Sequence, residues 1–223
     1  MNREDLVIFD NFAFTLNEDL KHWHEECGTG KVIVVDNFYK DFDRVVKEIP
    51  KLTLTTTGCD NEHVFDGRAS YASNMPGTEL PFVMQWGHKL KEIVGYRGDN
   101  MVVDTHLYVN AQFIQKPEIL EDHYYNIHVD PSKERPEIAT VVFLNEHYEE
   151  GEGFTIYSKD SKESDTLRFF RKDECDIIKH VQGKPNRAVV FMAGADGDPH
   201  SGALATDQFT KEMRYTQIIF TQI

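Results

Sequence analysis

What this sequence lacks narrows it first. It has only three cysteines, Cys27, Cys59 and Cys175, an odd number with no CxxC spacing, so neither a disulfide framework nor a zinc knuckle is expected and a reducing compartment fits. No apolar run approaches the length of about 18 residues that a membrane span needs. The opening stretch MNREDLVIFDNFAF interrupts its apolar residues with charges, which is not the pattern of a secretory leader. A soluble, cytoplasmic chain with no membrane partner is the expectation. Positive charge is also scarce: 24 Lys and Arg face 38 Asp and Glu, and the net charge of −14 repels a phosphate backbone and so argues against a nucleic-acid partner. There is no internal repeat and no low-complexity tract.

What is present is a globular composition. Forty per cent hydrophobic residues, including 15 Phe and 9 Tyr, are enough to build a real core. At 223 residues the expectation is a single domain over 30–223, preceded by an N-terminal extension over 1–29. In that extension Val7 to Phe9 reads as a short strand and Leu16 to Glu26 as a short helix closed by Gly28 and Gly30. Lys31 to Val35 is a β-branched strand. Phe38 to Leu52 carries apolar residues at helical spacing, residues 53–80 read as loop and short strand, and Phe82 to Val94 reads as a second helix ended by Gly95.

From residue 101 the pattern changes to short apolar alternations between turn residues. Strands are expected near 101–115, 124–130, 138–144, 153–157, 167–171, 176–181, 187–193 and 213–222. Helices first and then many short strands imply a mainly β, α+β fold. Its core, over about residues 100–223, would be a jelly-roll or barrel able to hold a small ligand.

Within that core, Tyr124-Tyr-Asn-Ile-His128-Val-Asp130 runs along a strand into Pro131. Side chains two apart on a strand share a face, so His128 and Asp130 can chelate one ion. A second histidine, His200, follows the strand Ala188 to Phe191 in Asp-Pro-His-Ser-Gly. Two histidines and a carboxylate on one face of a metal leave open positions opposite, as a non-haem Fe(II) oxygenase requires, whereas zinc commonly takes a closed four-coordinate site. An HxD alone is cheap, and the chain also contains His24-Glu-Glu26 and His147-Tyr-Glu149, best read as a polar helix face and a loop. The final strand adds the context. Alternation over Met213 to Phe220 puts Arg214, Thr216 and Ile218 on one face. If that face is inward, the buried guanidinium needs a carboxylate, which a dicarboxylate ligand would supply through paired hydrogen bonds, with Thr216 adding another.

These residues resemble the 2-oxoglutarate-dependent oxygenase superfamily, in its prolyl 4-hydroxylase-like branch. The blocks are Tyr125-Asn-Ile-His128-Val-Asp130, Thr140 to Asn145 followed by Glu150-Gly-Glu-Gly153, Pro185 to Phe191, Pro199-His200-Ser201, and Arg214-Tyr-Thr216, in that order. Val32 to Phe38 and the helix after it look like the family's lead-in. The resemblance implies a double-stranded β-helix with Fe(II) held by His128, Asp130 and His200, 2-oxoglutarate anchored by Arg214, and Tyr125 lining the pocket. Phe143 stands where many relatives carry a tyrosine, and Thr216 is the candidate replacement for that hydroxyl. The stretch before His128 is long, including Pro117 to Asp122, which leaves the register of the preceding strand open; Tyr108 and Asn110 are pocket candidates on it.

The implied activity is hydroxylation of a C–H bond with O₂ and 2-oxoglutarate as co-substrates and ascorbate as a candidate auxiliary reductant. Because Asp130 fills its coordination position, no vacancy is left for chloride and hydroxylation is expected over halogenation. The likeness favours a peptidyl or free proline, so the partner is a peptide, protein or small-molecule substrate. The segments Thr55 to Pro76, with Phe65, Arg68, Tyr71 and Asn74, and Asn145 to Glu150 are candidate substrate loops or plain surface. A non-catalytic jelly-roll module and a cupin-like metalloenzyme of another reaction type are the competing readings. Oligomeric state is not legible.

Overall fold

The computed structural model describes residues 9–27, 30–56, 68–74, 79–98, 102–103, 108–114, 127–130, 137–158, 168–170, 175–193, 197–203 and 206–223. The strands are β1 (Lys21–Cys27), β2 (Gly30–Asp36), β3 (Thr55–Thr56), β4 (Arg68–Asn74), β5 (Val102–Val103), β6 (Tyr108–Ile114), β7 (Ile127–Val129), β8 (Glu137–Phe143), β9 (Gly153–Tyr157), β10 (Arg168–Phe170), β11 (Ile177–Gln182), β12 (Ala188–Ala193), β13 (His200–Ser201) and β14 (Arg214–Gln222), with helices α1 (Phe42–Glu48) and α2 (Glu79–Val94). They form two antiparallel sheets. The larger has nine strands in the order β1-β2-β12-β8-β14-β6-β4-β3, with β5 beside β14; the smaller has five in the order β10-β7-β13-β9-β11.

Period-two alternation in the β-branched strands sorts side chains between two apolar layers. Val32, Val34, Ala139, Val141, Val189 and Phe191 leave the large sheet toward Phe154, Ile156 and Val181 of the small one. Their neighbours Ile33, Val35, Ile138, Val142, Val190 and Ile219 point the other way, against Phe82, Trp86, Leu90 and Ile93 of α2. Those four α2 positions recur every three or four residues and so share one helix face. The helix closes where the sequence marks it: Gly95 adopts φ 69°, and Tyr96 N–H donates to Lys91 C=O at 3.0 Å, a left-handed C-terminal cap. Among the described residues no helix is long and apolar enough to cross a membrane.

Three expectations change. The helix over Leu16 to Glu26 does not form; Lys21–Cys27 is a strand paired with β2 from Lys21↔Asp36 to Cys27↔Gly30. KHWHEEC offers no apolar face at helical spacing, whereas β2 offers an open edge. Leu16 and Leu20, assigned to that helix, are buried in the layer beneath α2. The first helix is shorter than Phe38 to Leu52, because Asp41 caps it by accepting Arg44 N–H, and its end tightens into a 3-10 turn at Pro50, which has no N–H. Arg68–Asn74, assigned to loop and short strand, pairs along its full length with β6. Val7 and Ile8 of the first expected strand lie outside the described residues.

Candidate functional site

His128 is the middle residue of β7, between the buried Ile127 and Val129, and Asp130 follows two positions on. The two-residue strand β13 inserts between β7 and β9, and its register sets His200 opposite His128. Their rings lie 4.4 Å apart. Asp130 sits between them, with Oδ1 3.7 Å from His128 Nε2 and Oδ2 3.7 Å from His200 Nε2. One ligand atom from each residue lies within 4.8 Å of the others. Donors about 2.1 Å from a metal at right angles stand about 3 Å apart, so a small inward closure of this triad would bind an ion.

The protonation of His200 suits a ligand. Its Nδ1 lies 3.2 Å from the Asp198 carbonyl, which can only accept, so the proton is on Nδ1 and Nε2 presents its lone pair to the triad. Burial, then the charge of His128, pushes its pKa down to about 4 and keeps the ring neutral. Phe191 and Phe154 pack on that ring at 4.6 and 5.5 Å and dry one side of the site.

Arg214 opens β14 and is 3% exposed. Its Nη1 donates to Gln112 Oε1 at 3.0 Å and its Nη2 to Gly153 C=O at 2.9 Å, while Nε is buried with no hydrogen-bond partner among the described residues. No carboxylate among the described residues lies within salt-bridge distance of it. Burial lowers its pKa, opposed by Tyr148 and Glu152 nearby. Gly202, two residues after His200, lies so close that a Cβ there would overlap Nη1. A cavity of about 160 Å³ joins these parts: His128, Asp130 and His200 line it, as do Arg214, Thr216 and Ile218 of alternate β14 positions. That volume is roughly tenfold what a single water needs, so a small organic ligand fits.

The residues singled out from the sequence divide clearly. His128, Asp130, His200, Arg214 and Thr216 come together, and Asn110 joins them on the cavity wall. Tyr125 and the side chain of Tyr108 lie outside the described residues; the Tyr108 backbone pairs with Ile218. Phe143 is fully buried between the sheets. His24 and Glu26 are on the edge strand β1, not on the polar helix face expected of them. His147 and Glu149 are on a loop, and neither HxE joins a triad among the described residues. Asn145 is structural, donating to Met213 C=O and accepting from Tyr215 N–H, both at 2.7 Å, and so pins its loop to the start of β14. Sequence reasoning missed Gln112 and gave Glu152, part of the Glu150-Gly-Glu-Gly153 block, no role of its own. Gln112 was findable only through the register Arg214↔Gln112, and Glu152 only by its full burial.

No protein-family model and no curated protein sequence matches the chain. Solved structures do. A Trichoplax adhaerens prolyl hydroxylase, determined in complex with a peptide fragment of the hypoxia-inducible factor oxygen degradation domain, superposes with TM-score 0.51 at 11% identity, covering 86% of this chain and 83% of its own. HygX from Streptomyces hygroscopicus, determined with nickel and 2-oxoglutarate bound, superposes with TM-score 0.50 at 7% identity, covering 86% and 82%. At such identities the likeness is one of fold.

Proposed function

We propose that this chain, whose fold is that of the prolyl 4-hydroxylase-like 2-oxoglutarate oxygenases, is an Fe(II)- and 2-oxoglutarate-dependent dioxygenase that hydroxylates a C–H bond. One observation carries the reading. A His–Asp–His donor set and a buried guanidinium with no carboxylate partner among the described residues face the same small cavity. Two imidazoles and one carboxylate, none of them a thiolate, suit Fe(II) with open positions left for co-substrate and O₂. In this reading the two sheets are the halves of a double-stranded β-helix.

Bound iron would supply the oxidative step: 2-oxoglutarate loses CO₂ to become succinate, one atom of O₂ ends in that succinate, and the other becomes the new hydroxyl. The chain's own residues hold and orient. His128, Asp130 and His200 would be the ligands. Arg214 would grip the distal carboxylate of 2-oxoglutarate through its unengaged N–H groups, with Thr216 adding a hydroxyl. Gln112 and the Gly153 carbonyl fix the guanidinium plane beforehand, which lowers the entropic cost of binding. Phe154, Phe191, Ile218 and Phe220 make the surrounding wall apolar and strengthen the charge pairing by excluding water.

The substrate we propose is a proline, peptidyl or free. The sequence blocks around the triad resemble the prolyl 4-hydroxylase branch, and the Trichoplax enzyme of the same fold was determined with a peptide. The test begins anaerobically. Fe(II) and 2-oxoglutarate together should give the weak visible charge-transfer band of a chelated keto acid, and Arg214→Ala should lose it at modest co-substrate concentration. Bound iron without a band would refute the reading. Aerobic incubation with proline-bearing peptides, scored by the mass gain of one oxygen atom, then tests the substrate.

A further inference from the structure

Glu152 has no part in the scheme above, yet it is completely buried. It stands between Gly151, at φ 86°, and Gly153, at φ 151°, and this glycine-only backbone turns its side chain inward. One carboxylate oxygen accepts the Glu149 N–H at 2.9 Å and the other accepts the Thr206 hydroxyl. The next residue, Gly153, supplies the carbonyl that holds Arg214 Nη2. Glu152 does not line the cavity. It stands one residue before the carbonyl that binds Arg214, no ion pair joins the two among the described residues, and each charge acts on the other. Burial raises the Glu152 carboxyl pKa, while the Thr206 and Glu149 bonds and the Arg214 charge oppose that rise; the like-charged Glu149 adds to it. Reciprocally, Tyr148 and Glu152 hold the guanidinium pKa up against its own burial.

A buried guanidinium needs negative charge close by in both the empty and the loaded site. We propose that Glu152 is the resident counter-charge of Arg214. It offsets the guanidinium in the resting protein and opposes the co-substrate's distal carboxylate when that group takes over, so Glu152 sets dicarboxylate affinity from outside the cavity. This rests on the reading of Arg214 as the 2-oxoglutarate anchor. Glu152 is a positioning residue and touches no reacting atom.

The substitution Glu152→Gln removes the charge and keeps the shape: its Oε1 can still accept from Glu149, and its Nε2 can donate to Thr206. Two effects of opposite sign are expected. The ligand-free protein melts at lower temperature, because Arg214 loses its offset. The Fe(II)-loaded protein binds 2-oxoglutarate more tightly, on the order of tenfold, because a repulsion in the complex is gone. A purely structural role would weaken both.

The experiment titrates 2-oxoglutarate into the full-length Fe(II) protein anaerobically, wild type against Glu152→Gln. Alongside it, a melting cycle without ligand combines Glu152→Gln with Arg214→Met. The expected cycle is non-additive, with Glu152→Gln costing less once the arginine charge is absent. Weaker or unchanged 2-oxoglutarate binding in Glu152→Gln, or an additive cycle, overturns the proposal. Failure of wild type to bind 2-oxoglutarate overturns the functional reading instead, and the cycle still decides whether Glu152 and Arg214 are coupled. If Glu152→Gln does not fold, Thr206→Val strips one bond from the carboxylate and favours its neutral form; it too should tighten binding, and weaker or unchanged binding refutes the idea.

Discussion

Gly202→Ala tests the proposed anchor Arg214 separately from the proposed metal triad. The substitution adds one methyl group, which would lie 2.8 Å from Arg214 Cζ and 2.9 Å from Nη2, and closer still to Nη1. The guanidinium cannot slide away freely, because Gln112 and the Gly153 carbonyl hold both of its terminal nitrogens. Restoring ordinary contact requires a movement of more than about 1 Å, enough to stretch both hydrogen bonds past useful length. Overpacking of this kind costs about 1–3 kcal/mol, and losing a bond to a charged group costs a similar amount. Taking about 2 kcal/mol, the melting temperature of a chain this size should fall by about 4–8 °C. If the same displacement moves the carboxylate grip, 2-oxoglutarate affinity should fall by about 30-fold. Fe(II) affinity should hold, since no triad atom is touched. Calorimetry and anaerobic titration of each ligand measure the three quantities. Unchanged melting together with co-substrate affinity within about twofold of wild type would refute the packing argument and, with it, the role given to Arg214.

Removing a ligand should have the opposite signature. His200→Ala should lower Fe(II) affinity by at least about 100-fold, beyond the loss typical of changes to a ligand's supporting partners, in a titration against a competing chelator. Asn145→Ala removes two hydrogen bonds at the start of β14; it should cost about 1–3 kcal/mol in thermal unfolding and raise the 2-oxoglutarate KM more than it lowers kcat. Asp36 provides a pH test away from the site. Its burial would raise the carboxyl pKa, but Arg187, bound at 2.7 and 3.1 Å, and then Lys184 hold it below the ordinary value of 3.8. A depressed folded pKa means that this stabilisation is complete above the unfolded pKa and is lost as pH falls through the folded one. Asp36→Asn should therefore lower the melting temperature near neutrality and flatten its decline below about pH 4.

The strands that the sequence announces are those whose alternation is apolar. β2, β8, β12 and β14 each send one set of side chains to the inter-sheet layer and the other to the helical layer, so period two is written twice over. β1 and β4 are hidden because KHWHEEC and RASYASN carry little that a core would take; both are strands by virtue of the neighbour they pair with. β13 is hidden for a stronger reason. Two residues have no periodicity, and His200–Ser201 is extended only because β7 and β9 flank it.

That distinction explains which parts of the site could be read in advance. Burial is a property of one residue and its spacing, so the shared face of Arg214, Thr216 and Ile218 follows from β14 alone, as the shared face of His128 and Asp130 follows from β7. The candidate site depends on pairs brought together by register: His200 opposite His128 and Gln112 opposite Arg214. No local pattern encodes such pairs, and they are reached only through the order in which strands lie side by side. The cost of leaving Arg214 buried is what makes its neighbours informative. A guanidinium held by a glutamine and a carbonyl, its Nε without a hydrogen-bond partner among the described residues, keeps donor capacity that these neighbours do not use. The proposed dicarboxylate ligand would use that capacity.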